Sequence, residues 1–181
     1  MVFPVTRRAQ ELDPLSLIIG SNLGRVLYFA REYDQAISQL KRTLEMDPNF
    51  WGAHYKLAMA YDAKGRYEEG LAEREESLVL EGDPQLASAL RAGYSHAGYR
   101  GAMTQWRAQL AERSKHADIS PYAFAMADTA LGEKEQALQW LDKAINERAS
   151  FIANLKVEPW FDSLHSDPRF GNLLRRMNLS P

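Results

Sequence analysis

The chain repeats itself at a fixed interval. YFAREYDQAISQLKRTLEMDP (residues 28–48) returns in diverged form as YDAKGRYEEGLAEREESLVLEGDP (residues 61–84). Leu23 recurs as Leu57, Leu27 as Tyr61, Tyr33 as Tyr67, Ala36 as Gly70, Leu44 as Leu78 and Met46 as Leu80, each 34 residues on. Within each copy the apolar residues fall at the i, i+3, i+4, i+7 spacing of amphipathic helices. Examples are Leu23 with Leu27, and Ala36, Ile37, Leu40 and Leu44. A unit of this length cannot bury its apolar face alone. Its neighbours must cover that face, so a stack of helix pairs is expected, and little else.

A small residue at a fixed place, a tyrosine two or three positions earlier and a closing Asp-Pro stand in register in both copies. In this the chain resembles the tetratricopeptide repeat family. The resemblance implies an all-α fold, a right-handed superhelical solenoid of antiparallel helix pairs with a C-terminal capping helix and about ten helices in total. One domain over residues 1–181 is expected. It divides into a half repeat (1–16), repeat one (17–50), repeat two (51–84), an irregular repeat three (85–117), repeat four (118–149) and a cap (150–181).

The local signals agree. RRAQELDP (Arg7–Pro14) matches KRTLEMDP (Lys41–Pro48), a second helix without its first. This reads as a fragment whose upstream repeats were removed, with Met1 a foreign start. Pro48 forbids continuation of the helix that ends near Met46. Gly24, Ala36 and Gly70 are expected where helix backbones approach closely, and Gly65 and Gly132 at turns. The run Ala72–Glu76 reads as a solvated face. Repeat three is expected as two helices, Gln85–Gly98 and Tyr99–His116. Ser120-Pro121 and Asp167-Pro168 are N-cap and first-turn pairs. Phe170, Leu173, Leu174 and Met177 then define the apolar face of the cap.

The tail, LGEKEQALQWLDKA followed by LKVEPWFDSLHSDPRFGNLLRRMNL, is similar to the C-terminal end of tetratricopeptide arrays in bacterial multidomain signalling proteins. That resemblance implies a regulatory or oligomerisation module of a larger transcriptional regulator, serine/threonine kinase or nucleotide cyclase.

Composition narrows function by subtraction. Lys plus Arg number 22 against 24 Asp plus Glu, so no basic excess points to nucleic acid. There is no cysteine, hence no thiol chemistry or thiolate metal site. The longest early apolar run, Leu15–Ile19, is too short for a membrane span. His54, His96, His116 and His165 form no HxxxH or HExxH pair. No enzyme signature, cofactor or metal site is legible, and a cytoplasmic location is expected.

A repeat stack leaves a concave face lined by the first helix of each repeat. Counting from the small residues places Asn22, Arg25 and Tyr28 there, then Tyr55, Met59 and Asp62, then Arg91 and Tyr94, then Tyr122 and Met126. Aromatic, Met and Arg side chains of this kind are enriched in binding hot spots. The expected partner is a protein or peptide, with self-association through exposed repeat ends as the second possibility. Tetratricopeptide domains that grip chaperone C-termini use Lys and Asn here to clamp a carboxylate. Ser21, Arg25, Tyr55 and Met59 stand in those places, which argues against that partner.

Overall fold

A computed structural model describes residues 2–179, and the side chains from residue 5 onward. Met1, Ser180 and Pro181, ends of the expected half repeat and cap, lie outside the described residues. Among the described residues every regular element is helical: α1 (Val2–Leu12), α2 (Leu17–Phe29), α3 (Tyr33–Met46), α4 (Trp51–Ala63), α5 (Tyr67–Leu80), α6 (Pro84–Arg113), α7 (Pro121–Leu131), α8 (Lys134–Asn146) and α9 (Pro168–Arg176). Two 3-10 turns, Ile152–Asn154 and Pro159–Leu164, precede α9. The period in the sequence is the period in the structure: α4 begins 34 residues after α2, and α5 34 after α3. The residues form two compact units, 1–91 and 92–181, with the division inside α6. Each is taken by itself.

In the first unit α2 pairs with α3 and α4 with α5, α1 lies on α2, and α2 also touches α4. Ser16 caps α2 by accepting from Ile19 N–H, and α3 stops at Met46, two residues before Pro48. Leu23, Leu27, Ala36, Leu40, Ala53, Leu57 and Ala58 fill the interior. A Cβ on Gly24 would sit 2.5 Å from Leu40 Cγ, so the α2–α3 pair requires glycine there. At Gly70 the expected close approach of the α4 backbone is present and a side chain adds to it. The space over its Cα is taken by the Asp62 carboxylate, with Ala58 O 3.2 Å from the Cβ position.

The run Ala72–Glu76 is a solvated face only in part: Ala72 and Glu76 are exposed, and the three residues between them are engaged. Glu73 Oε2 meets His54 Nδ1 at 2.6 Å, Arg74 Nη2 donates to Asp62 Oδ2 at 2.5 Å, and Glu75 accepts from Arg91 Nε at 2.9 Å. An α5 charge therefore goes to α4, the next to α4 again and the third to α6. Sequence pattern marked these residues as polar but could not show which faced a neighbour.

In the second unit the helical path of α6 breaks at Ala97 and Gly98, the latter with φ +59°. The two helices expected for repeat three are thus both present, and they meet at this break. Ser120 accepts from Tyr122 N–H and Pro121 opens α7, which ends at Gly132 in the left-handed conformation. Phe124 stacks on Trp140 of α8, with Arg107 over both rings and its Nε 2.7 Å from Asp128 Oδ1. Asp167 caps α9 through Arg169 N–H. Phe170, Leu173 and Leu174 are buried, and Met177 falls just past the helix end. Arg169 reaches Glu135 of α8 at 2.5 Å, and Arg176 pairs with Asp142 and Asn146. The α9 cap is held to α8 by an apolar face and two arginines.

Candidate functional site

The ten side chains assigned to a concave face divide by environment. Tyr28, Met59, Tyr122 and Met126 are buried. Tyr28 packs its ring against Phe29 and Tyr33, with centroids 5.7 and 5.9 Å away. Asp62 faces α5, where it and Arg74 form an ion pair whose side chains are 6% and 8% exposed. Burial pushes the Asp62 carboxyl up, against the pull of Arg74. Arg91 is held by Glu68 and Glu75 of α5. Asn22, Arg25, Tyr55 and Tyr94 remain half-buried. Asn22 and Arg25 lie on α2 and Tyr55 on α4, both in the first unit, whereas Tyr94, Tyr122 and Met126 belong to the second.

Around Arg25 the structure adds Lys56, which sequence reasoning did not assign to the site, and joins it to Ser21, which stood at a clamp position. Lys56 Nζ, on α4, donates to Ser21 Oγ on α2 at 2.7 Å. Among the described residues this amine has no carboxylate partner. Burial, and then the charge of Arg25, lower its pKa to about 8. The Nε of Arg25 is itself buried with no acceptor. Two cations thus lie together on the α2–α4 face beside a hydroxyl, with no acidic partner for either among the described residues. A buried donor left unmade costs about 1–3 kcal/mol, and more when charged. Like charges close together add repulsion. A signal for Lys56 was present, since it is the 34-residue counterpart of Asn22.

Among the described residues no group of three or more His or acidic residues is placed to hold a metal ion, and no helix is long and apolar enough to cross a membrane. Paired helices at a 34-residue period, with polar side chains on the α2–α4 face, define a helical-repeat binding scaffold. Residues 21–87 match the tetratricopeptide repeat family. It is similar to the small glutamine-rich tetratricopeptide repeat-containing protein 2 of Saccharomyces cerevisiae, 26% identical over 112 residues. That match covers 61% of this chain and 32% of the relative, so the chain spans about a third of the relative's length. Repeats of this family support a protein-interaction role.

Proposed function

We propose that this chain is a non-catalytic interaction scaffold that holds an acidic peptide segment on the concave face made by α2 and α4. The observation carrying this reading is the Arg25–Lys56 pair, two cations without an acidic partner among the described residues, one of them with a buried donor that no described group accepts. A carboxylate set between them would accept from the guanidinium fork and neutralise the amine. Tyr55, next to Lys56 and half-buried, offers a rigid ring of low entropy cost beside that charge. The test is a titration of the chain with a short glutamate-rich peptide and with its glutamine-rich counterpart. Arg25→Ala and Tyr55→Ala should each weaken binding of the acidic peptide by about tenfold or more, with circular dichroism unchanged. Equal affinity for the two peptides would refute the proposal.

One observation favours a second reading, a module that associates through its repeat end. Val5 and Leu12 of α1, Leu15 in the turn after it and Ile18 at the start of α2 are all exposed. Light scattering showing a concentration-dependent dimer that Leu12→Ser with Ile18→Ser abolishes would support it, and a monomer at every concentration would reject it.

A further inference from the structure

Three lysines of this protein are held in ion pairs. Lys64 is paired with Asp34, Lys115 with Glu112 and Lys143 with Glu147. Lys56 differs from these three: it is half-buried, its one described polar contact is the Ser21 hydroxyl, and the charge that acts on it is another cation.

We propose that Lys56 is a site of reversible modification by carbon dioxide, its Nζ carried as a carbamate between Ser21 and Arg25. The step balances without an oxidant or reductant. The lone pair of the neutral amine attacks the carbon of CO2, a C–N bond forms, and one C–O π pair withdraws onto oxygen. The proton then on nitrogen leaves to solvent. The amine and CO2 become a carbamate anion and one proton.

Such a modification needs three things, and the cluster supplies each. The first is a neutral amine. With the pKa at about 8 in place of 10.5, about a quarter of Lys56 is neutral at pH 7.5, against about one in a thousand for an ordinary lysine. That is an advantage of roughly two hundredfold. The second is a fixed cation for the new anion, and Arg25 has a buried Nε with nothing to accept its proton. The third is a polar neighbour that tolerates the change, and the Ser21 hydroxyl, an acceptor toward the ammonium, can rotate to donate to a carbamate oxygen. The same change turns two repelling cations into an ion pair.

This inference stands apart from the peptide reading, because its readout is a covalent adduct. The full chain is equilibrated with 13C-bicarbonate at pH 7.5, the adduct is trapped with an alkylating oxonium salt, and lysine-containing peptides are mapped by mass. The label is expected at Lys56 at least tenfold above Lys64, Lys115 and Lys143. A 13C carbamate signal should vanish on acidification and be absent from Lys56→Arg. Arg25→Met, with an unchanged helical spectrum, should cut the label at Lys56 severalfold. No label at Lys56, a label no higher than at the ion-paired lysines, or an undiminished label in Arg25→Met would each overturn the proposal. Should a variant fail to fold, the comparison among lysines of the unaltered chain still decides.

Discussion

Gly70→Ala is the substitution whose cost the geometry fixes most closely. In a solvent-facing helix the change would add about 1 kcal/mol of stability, because alanine has the better helix propensity. Here the new Cβ would fall on the Asp62 carboxylate. Withdrawal toward α4 is also restricted, since the Ala58 carbonyl O is already 3.2 Å away. Either α4 and α5 separate or Asp62 turns aside and leaves Arg74, 7% exposed, with a buried charge. Breaking one side of a buried pair costs about 3–5 kcal/mol. Against the propensity gain, the net loss should be about 2–4 kcal/mol. The assay is urea unfolding followed by circular dichroism, in the parent and in a background carrying Asp62→Ala with Arg74→Met. In that background neither charge remains, and Gly70→Ala should be neutral or slightly stabilising. A Gly70→Ala protein as stable as its parent, or one equally damaged in both backgrounds, would show that the Asp62 carboxylate is not what the glycine accommodates.

Three further outcomes follow from other parts of the molecule. An NMR titration of Lys56 should give a pKa near 8, and Arg25→Met should move it toward the ordinary 10.5. The charged amine opposes folding below about pH 8, and that opposition fades as pH rises to 10.5, so the stability advantage of Lys56→Met should shrink across that window. At the cap, the Arg169 side chain and then its backbone N–H hold the Asp167 carboxyl down at about 2, from 3.8. This support is complete above about pH 4 and lost as pH falls toward 2, so unfolding in acid should show a step there that Asp167→Ala lacks. Removal of residues 167–181 uncovers the face that Phe170, Leu173 and Leu174 bury, and the truncated chain should self-associate in light scattering; a stable monomer would refute the capping role.

The fold was legible wherever one residue type had one physical meaning. Pro48, the 34-residue spacing, Ser120-Pro121 and Asp167-Pro168 each constrain backbone independently of their surroundings, and each element starts or stops where they require. Side-chain direction was less legible. Asp62 and Arg91 looked like groove residues because helical position was counted from the small residues alone. Asp62 instead completes a buried pair with Arg74, and Arg91 is drawn to Glu68 and Glu75. Tyr28, Met59, Tyr122 and Met126 could face either core or solvent, because an aromatic or methionine suits both. Lys56 was passed over because a lysine on a helix is ordinarily solvated. What sets it apart is the proximity of Ser21 and Arg25 on α2, distant in the chain and visible only once α2 and α4 are packed together.

The central claim is that the α2–α4 face, through Arg25 and Lys56, takes an acidic peptide. The direct measurement is an amide chemical-shift map of the full chain during titration with the glutamate-rich peptide, with the glutamine-rich peptide as control. The account predicts saturable shifts concentrated at Ser21, Asn22, Arg25, Tyr55 and Lys56, lost in Arg25→Ala and in the control. Shifts confined to the exposed positions of α3 and α5, or no saturable shift at all, would contradict it.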